Sequence, residues 1–314
     1  MPNPRIIAVE EHYQIKEIRD TFTGLDSFLL PKWEEDLVDF GEYRLREMDA
    51  AGIDVQILSH LTPGTSRLDP TRAAALARRA NDRLYEALQA NPGRLLGYAE
   101  LPMPAPDQAA AELERTVKEY GFKGAMVNGL THGLFIDDER FIPVLEMANA
   151  LKTPLYIHPS TPHQAVIDAY YKDYPALARA GWGFGLEAAT HATRIIMSGL
   201  LDRFSDLRII LGHLGESLPF WLWRANRSLT RDGKLKRPFR DYFREHFFVT
   251  TSGNFSQAAL LCSLLELGAD KILFAVDWPF QSNLDGVAFV KGAAMSDDDK
   301  EKIFSRNAEK LFGI

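Results

Sequence analysis

The chain has 314 residues, of which 46% are hydrophobic and 25% charged, and its net charge is -7 at pH 7. This composition is typical of a globular protein with a sizeable core, and the lack of a lysine and arginine run argues against a nucleic-acid partner. The chain has one cysteine, Cys262, which excludes an intramolecular disulfide and fits a reducing compartment. It has no signal-peptide pattern and no apolar run of about 18 residues, so we predict no membrane contact and a cytoplasmic location.

Short apolar runs alternate with longer amphipathic runs along the chain. We predict strands at residues 5–13, 55–60, 95–101, 124–129, 154–160, 208–215, 247–253 and 272–279. We predict helices at residues 71–90, 107–120, 138–151, 185–204, 256–267 and 297–312. This alternation is typical of an α/β fold of the (β/α)8 TIM-barrel type, with residues 1–314 as one domain. An open doubly wound sheet is disfavoured because no glycine-rich dinucleotide loop follows the first strand.

Two of the connections are longer than a barrel needs. Residues 14–42 follow the first predicted strand and are rich in aromatic and acidic side chains, and residues 161–182 follow the fifth strand. Loops that follow barrel strands surround the active site of a barrel enzyme. We therefore expect both insertions at the rim of the active site.

Polar residues stand at the ends of four apolar strands. Glu10 and His12 are two residues apart, so on a strand both side chains point to the same face. Taken singly, each histidine is more simply explained as a core or surface residue, and Asp277 as a cap or turn residue. Carboxyl ends of barrel strands converge, however, and a buried carboxylate without a partner is costly. We predict a metal site among these groups: Glu10, His12, His158, His213 and Asp277.

Several motifs resemble the metal-dependent amidohydrolase superfamily, in its amidohydrolase-2 (ACMSD-like) branch. They are residues 48–54 (MDAAGID), 155–159 (LYIHP), 198–204 (SGLLDRF), 211–216 (LGHLGE) and 307–312 (NAEKLF). Most amidohydrolases begin with His-x-His, whereas this chain has Glu10-Glu11-His12, which is similar to the non-oxidative γ-resorcylate, 2,3-dihydroxybenzoate and 5-carboxyvanillate decarboxylases.

The resemblance implies roles for individual residues. It implies a metal-ligand set of Glu10, His12, His158 and Asp277. It places His213 and Glu216 beside the substrate, Asn128 in contact with it, and Arg224 in the site of a neighbouring subunit of a homodimer or homotetramer. On sequence alone, Asn128 is equally well read as a turn residue and Arg224 as a surface residue.

The ligand set suits one divalent ion. Two imidazoles and two carboxylates fit Zn²⁺ or Mn²⁺, with Mg²⁺ possible. The fourth strand ends in Asn128, where a carboxylated lysine would be needed for a second ion, and Lys123 lies at its beginning. We therefore expect a mononuclear site.

The predicted reaction is the reversible, non-oxidative decarboxylation of an ortho-hydroxybenzoate to a phenol and CO2, which makes the protein a carboxy-lyase. The carboxylate and phenolic oxygen of such an acid chelate one metal ion together. We predict that Asp277 delivers the proton to the ring carbon, and that His213, oriented by Glu216, assists the phenol oxygen or the proton relay.

Two other functions are compatible with the same barrel. A lactonase-like metal-dependent hydrolase would use Asp277 as a base, but Glu10 stands where a hydrolase has histidine. A non-catalytic metal-binding barrel is disfavoured because His213 and Glu216 accompany the ligands. Neither the acid that is used nor the native metal follows from the sequence.

The remaining histidines suggest simpler roles. His191 lies four residues after Glu187, which predicts a pair on a helix surface, although the position also resembles one in the family. His132, His163 and His246 are expected in loops or at the surface. His60 has no clear counterpart in the decarboxylases.

Overall fold

The protein is described here by a computed structural model, which covers residues 4–314. Its parallel strands are β1 Ile7–Tyr13, β2 Val55–His60, β3 Leu95–Gly97, β4 Ala99–Glu100, β5 Ala125–Asn128, β6 Leu155–His158, β7 Ile209–Leu211, β8 Phe247–Thr250 and β9 Ile272–Leu273.

Helices follow the strands and surround them. They are α1 Lys16–Arg19, α2 Pro31–Leu37, α3 Glu42–Ala51, α4 Pro70–Ala90, α5 Pro106–Tyr120, α6 Ile142–Leu151, α7 Gln164–Val166, α8 Gly183–Met197, α9 Leu200–Arg203, α10 His213–Glu216 (a single left-handed turn), α11 Leu218–Asp232, α12 Phe239–His246, α13 Gln257–Leu267, α14 Asn283–Lys291, α15 Asp297–Glu301 and α16 Asn307–Phe312. Short 3₁₀ turns lie at Gly24–Ser27, Glu139–Phe141, Pro175–Ala178 and Ala269–Lys271, and π-helical turns at Ile167–Tyr171 and Lys302–Arg306. Within residues 4–314, none of the helices has the length and apolar character that a membrane crossing requires.

The strands close into a barrel through two junctions. One residue, Tyr98, separates β3 from β4, and its N–H donates to the carbonyl of Leu58 in β2 at 2.8 Å. At the other junction, the Val9 N–H of β1 donates to the Phe274 carbonyl at 3.0 Å, just after β9. Counting β3 and β4 as one interrupted strand gives eight strands, so the predicted (β/α)8 barrel is confirmed.

A bulge in β1 determines what faces the inside of the barrel. Ala8 pairs with Gln56 and Glu11 with Leu58, so three steps along β1 match two along β2. Before the extra residue the inward side chains include Val9, which belongs to the apolar cluster inside the barrel. After it the inward positions shift by one, and Glu10 and His12 face the interior. The expectation that these two share a face is therefore correct, and the bulge explains how they reach the inside.

The barrel interior has an apolar lower layer and a polar upper layer. The lower layer is made of inward side chains from successive strands: Ile7, Val9, Val55, Ile57, Tyr98, Met126, Tyr156, Ile210, Leu273 and Ala275. A second, larger cluster packs the outer face of the strands against the helices. The apolar layer shields the polar side chains above it from water on one side. Solvent and ligands can therefore reach them only from the carboxyl ends of the strands.

Some predicted boundaries are wrong. The strand expected at residues 208–215 ends at Leu211, because the chain turns into a left-handed conformation at His213. The helix expected at 185–204 is interrupted at Gly199, which has a positive φ of 76°. The predicted helix at 297–312 contains the π-helical turn at Lys302–Arg306.

The two long connections contact each other above the strands. The Thr161 hydroxyl donates to the Asp26 carboxylate at 2.5 Å, and the Arg179 guanidinium donates to the Leu25 carbonyl at 3.0 Å. Arg67, from the loop after β2, joins them through an ion pair with Asp26 at 2.8 Å. These contacts tie residues 14–42 to residues 161–182.

Candidate active site

Four of the predicted site residues meet at the carboxyl ends of β1, β6 and β9. Glu10, His12, His158 and Asp277 each offer one ligand atom, and these atoms all lie within 4.8 Å of one another. His12 Nε2 is 3.1 Å from Asp277 Oδ1, and His158 Nε2 is 3.5 Å from Glu10 Oε1. The group is large enough to hold a single cation at its centre.

The imidazoles present lone pairs to that centre. His158 Nδ1 lies 2.8 Å from the Pro159 carbonyl, which only accepts, so this nitrogen carries the proton and Nε2 is left as a donor of electrons to a metal. His12 Nδ1 is 3.2 Å from the Ser59 hydroxyl. Burial lowers the pKa of His158 well below its usual value, with the neighbouring His12 contributing in the same direction.

The chemistry of this donor set fits a divalent metal. Glu10 Oε1 and His12 Nε2 are buried and have no hydrogen-bond partner. A buried carboxylate oxygen and a buried imidazole nitrogen without partners are unfavourable by themselves, and coordination of a cation would satisfy both. Two nitrogens and two carboxylates also match the ligand preferences of Mn²⁺ and Zn²⁺.

A polar shell beneath the cluster orients Glu10. Its Oε2 accepts hydrogen bonds from the Tyr156 hydroxyl and, at 3.0 Å, from the Thr250 hydroxyl. A Cβ at position 212 would come within 3.1 Å of the same oxygen, so Gly212 leaves the room that the carboxylate occupies. Burial raises the pKa of Glu10. Because Oε2 is held from below, Oε1 faces the centre of the cluster.

Asp277 is held by the backbone around it. It has a positive φ of 76°, and its N–H donates to the Glu10 carbonyl at 3.0 Å. The Glu11 carboxylate accepts from the N–H groups of Val276 and Trp278, both at 2.9 Å, so it bridges the residues on either side of Asp277. Although burial raises the pKa of Asp277, the neighbouring imidazoles of His12 and His213 lower it.

A buried arginine accompanies Glu11. The Arg44 guanidinium donates to the His12 carbonyl at 2.7 Å and lies 4.1 Å from the centre of the Trp278 ring. Burial lowers the pKa of Arg44 to about 10, whereas the charge of Glu11 raises it. Arg44 thus links the backbone of a proposed ligand strand to the loop that carries Asp277.

His213 and Glu216 form a pair in a left-handed turn. Residues 213–217 all have positive φ, between 51° and 87°, which is a rare run for residues other than glycine. The turn brings His213 Nδ1 to 2.6 Å from Glu216 Oε1, while Nε2 points to Asp277 Oδ2 at 3.8 Å. Burial lowers the pKa of His213, but the carboxylates of Glu216, Asp277 and Glu10 together raise it well above the usual value.

Asn128 lies beside the cluster. It pairs in register with His158, and its Nδ2 donates to Glu100 Oε2 at 3.3 Å. Its Oδ1 is buried and unpartnered. Glu100 is also buried, and burial raises its pKa to about 7 against hydrogen bonds from Thr65.

Arg224 is separate from these residues. It lies exposed on α11, and among residues 4–314 it forms no ion pair. The side chains around it are unusually apolar for a surface: Phe220 is 77% exposed, Trp221 53% and Trp223 67%.

Aromatic residues form one wall next to the cluster. The Phe280 ring centre is 5.8 Å from that of His12, and the Trp33 ring centre is 5.1 Å from that of Phe280. Trp33 belongs to α2, in the first long connection. Residues 14–42 therefore contribute an aromatic surface that leads toward His12.

Two histidines lie in environments other than those that the sequence predicts. His191 is fully buried, and its Nε2 accepts from the Ile136 N–H at 3.0 Å. Its Nδ1 is 3.8 Å from Glu187, so the predicted pair is present, but its predicted location on the helix surface is wrong. His246 is buried and bonds to the Leu207 carbonyl, so its predicted surface location is also wrong. His60 accepts from the Ile15 N–H at 3.2 Å and fixes the start of the first long connection. His132 and His163 are exposed, as expected.

Comparisons with known proteins agree with this fold. A match to the amidohydrolase family covers residues 11–314. The γ-resorcylate decarboxylase of Polaromonas sp. is 41% identical over 98% of this chain and 98% of that protein. The structure of a dihydroxybenzoic acid decarboxylase from Polaromonas sp., with bound manganese and the inhibitor 2-nitroresorcinol, has a TM-score of 0.93 at 39% identity, with 99% of this chain and 97% of that one covered.

A further solved structure, the 5-carboxyvanillate decarboxylase of Sphingomonas paucimobilis, has a TM-score of 0.93 at 35% identity and covers 99% of this chain and 100% of that one. The resemblance inferred from the sequence motifs is confirmed by these matches. Since the family match and the full-length relatives span nearly all residues, the chain belongs to the amidohydrolase family.

Proposed function

We propose that the protein catalyses the metal-dependent, non-oxidative and reversible decarboxylation of an ortho-hydroxybenzoate to the corresponding phenol and CO2. One observation carries this proposal: Asp277 directs Oδ1 to the proposed metal ligands and Oδ2 to the His213–Glu216 pair. A carboxyl group in that position can exchange protons with His213 beside a chelated aromatic acid. The enzyme is a carboxy-lyase.

The residues proposed to hold the metal are Glu10, His12, His158 and Asp277. A divalent ion held by these residues would supply Lewis-acid chemistry to the carboxylate and phenol groups of the acid. We propose Mn²⁺ or Zn²⁺ as the native ion, with Mg²⁺ as a weaker alternative, because imidazole ligands suit Mg²⁺ poorly.

The chain's own groups move the proton. Protonated Asp277 gives its proton to the ring carbon that bears the carboxylate. The bond between that carbon and the carboxylate then breaks, its electron pair returns to the ring, and CO2 leaves. His213 returns a proton from Nε2 to Asp277 Oδ2, and Glu216 holds the imidazole through Nδ1.

Two further residues are proposed to bind the acid. Asn128, adjacent in register to His158, contacts the aromatic acid from the barrel interior. Arg224 binds its carboxylate from a neighbouring subunit, because its exposed guanidinium stands beside an apolar face suited to contact with a second copy. The protein would then function as a homodimer or homotetramer.

The test is a screen of metal-replete enzyme against 2,6- and 2,3-dihydroxybenzoate, salicylate and a carboxyvanillate-type acid, with CO2 and phenol measured together. We expect release of CO2 from at least one ortho-hydroxy acid, loss of release with a chelator, and recovery with Mn²⁺ or Zn²⁺. 4-Hydroxybenzoate, which lacks the ortho hydroxyl, is the matched control and should not react. Metal retention without CO2 release from any acid would reject the proposal, and lactone hydrolysis would then identify the hydrolase.

A further inference from the structure

Glu100 is a buried carboxylate for which the proposed reaction has no use. It lies at the end of β4, and only 3% of its surface is exposed. Its Oε1 accepts from the Thr65 N–H at 2.7 Å and from the Thr65 hydroxyl at 2.8 Å. Its Oε2 accepts from Asn128 Nδ2 at 3.3 Å. The loop after β2 closes tightly over it, because a Cβ at Gly64 would lie 2.3 Å from Oε1.

These contacts determine which way the Asn128 amide faces. The NH₂ group of Asn128 donates to Glu100 Oε2, and above a pH of about 7 the Glu100 carboxylate is ionised and only accepts hydrogen bonds, so this orientation of the amide is held. The carbonyl oxygen, Oδ1, therefore turns away from Glu100. It is buried and has no partner within residues 4–314.

The unpartnered oxygen lies on the inner side of the barrel. Asn128 pairs in register with His158, and residues paired in a parallel sheet point to the same face. His158 points inward to the proposed metal ligands. Asn128 Oδ1 is thus a fixed acceptor next to the position of the aromatic acid.

A buried acceptor without a partner discriminates among ligands. A hydroxyl substituent donates a hydrogen bond to it, whereas a methoxy oxygen only accepts and leaves both oxygens unsatisfied. Sites built to bind a hydroxyl reject analogues that cannot donate far more strongly than apolar pockets do.

We propose that Glu100 is a positioning residue that holds Asn128 Oδ1 toward the substrate and thereby selects aromatic acids with a second hydroxyl group over acids with an ether at that position. The inference rests on the proposed function, since it needs an aromatic acid bound beside His158. It assigns to Glu100 the choice of substrate and leaves the proton transfer to Asp277 and His213.

The variant Glu100→Gln should reverse the orientation of the Asn128 amide. The Thr65 N–H can only donate, so the glutamine must keep its oxygen on that side and turn its NH₂ group toward Asn128. Asn128 then rotates its amide to offer Oδ1 to the glutamine, and its NH₂ group faces the ligand. A methoxy oxygen would gain a donor in this variant, while a hydroxyl would lose its acceptor.

The measurement is the dissociation constant of metal-replete protein for 2-nitroresorcinol and for its monomethyl ether, by titration calorimetry. We expect the natural protein to bind 2-nitroresorcinol at least about tenfold more tightly than the ether. In Glu100→Gln that ratio should fall by at least about fivefold. Both ligands differ by the same methyl group in both proteins, so steric effects cancel in the comparison.

Glu112→Gln is the matched control. Glu112 is also a buried carboxylate, and it reaches Glu100 only through Asn81, which bonds to the Glu100 backbone. In Glu112→Gln, the ratio of the dissociation constants for the ether and for 2-nitroresorcinol should equal that of the natural protein. If Glu100→Gln does not fold, Glu100→Asp keeps the charge but withdraws it from Asn128, and the ratio should again fall.

The outcomes separate this inference from the proposed function. In one outcome, the natural protein releases CO2 while the ratio of the two dissociation constants in Glu100→Gln or Glu100→Asp stays within about twofold of the natural ratio. That result rejects only the role of Glu100. A natural protein that neither releases CO2 nor binds 2-nitroresorcinol rejects the proposed function and the role of Glu100 with it.

Discussion

The proposed mechanism gives Asp277 two tasks in one carboxylate. Its Oδ1 lies 3.1 Å from His12 Nε2, and its Oδ2 lies 3.8 Å from His213 Nε2. Burial raises the pKa of Asp277, but the two neighbouring imidazoles lower it below its usual value, so the protonated form is scarce but strongly acidic. Protonation of an aromatic carbon requires a strong acid, which this environment supplies.

Replacing Asp277 by asparagine should abolish CO2 release. The amide keeps an oxygen for the metal but cannot carry the proton, so we expect a loss of about 10³-fold or more in kcat. The bound metal and the melting temperature should change little, which a metal assay and thermal unfolding would check. Asp49→Asn, at the opposite end of the barrel, is the control, and activity above a tenth of the natural level would exclude Asp277 as the proton donor.

Glu11→Gln should loosen the loop that carries Asp277. Glutamine can accept from one of the two N–H groups at Val276 and Trp278, and its own NH₂ group then faces the other donor. We expect a loss of about 1–3 kcal/mol in the free energy of unfolding and weaker metal retention. Urea unfolding and metal content measure the two effects. Equal metal affinity in the variant would show that Asp277 does not depend on Glu11.

The residues that the sequence predicts are those that stand at strand ends. Glu10, His12, His158 and Asp277 were predicted as a cluster, and the structure brings them together. Glu11 and Glu100 were missed because their partners are backbone N–H groups and an amide far away in the chain. Glu11 stands next to Glu10, but it lies on the outer face of β1 beside Leu58.

At the scale of elements, the turn after β7 was the largest error. Leu211 and Leu214 continue the apolar pattern of the strand, and this made residues 208–215 look extended. The chain instead adopts a left-handed turn. Each residue other than glycine in this backbone conformation costs about 1–3 kcal/mol of stability. The contact between His213 and Glu216 depends on that turn. Sequence patterns contain no signal for such local strain.

Helix α8 contains a second feature that the sequence concealed. His191 is buried in it and bonds to the Ile136 N–H, and burial lowers its pKa to about 3. The unfolded chain takes up this proton near the ordinary pKa of about 6.5, whereas the folded protein resists it. The contribution of His191 to stability is therefore complete above pH 6.5 and is lost as the pH falls toward 3.

His191→Gln should reduce the sensitivity of the fold to acid. Glutamine offers an acceptor to Ile136 but does not titrate. Between pH 7.5 and 5.0, the natural protein should lose about 2 kcal/mol more unfolding free energy than the variant does. Urea unfolding at the two pH values measures this difference, with His132→Gln, an exposed histidine, as the control. Parallel losses in all three proteins would contradict the argument.

At the scale of the whole molecule, the surface around α11 is unusually apolar. Three large aromatic side chains stand exposed on the helix that carries Arg224. Patches of this kind on soluble proteins mark contacts with other chains. We propose that residues 1–314 act as one barrel domain and that two such domains meet at this surface.

Mixing two inactive variants should restore activity if Arg224 acts across subunits. One chain carries Arg224→Ala and the other carries Asp277→Asn. The two chains are mixed in equal amounts and refolded together. In a random mixture of dimers about a quarter of the sites combine both intact residues, so about a quarter of the activity should return at low substrate concentration. Light scattering gives the size of the assembly. No recovery in a mixture of confirmed mixed dimers would return Arg224 to a surface role.

The bulge in β1 has a consequence for how such sites are compared between genes. Val9 and Glu10 are consecutive in the sequence, yet both face the interior, so strict alternation counted from Ile7 and Val9 would place Glu10 and His12 on the outside of the barrel. A comparison that counts alternation from the first apolar residues would therefore misplace both proposed ligands. The position of the bulge carries as much information as the ligands themselves.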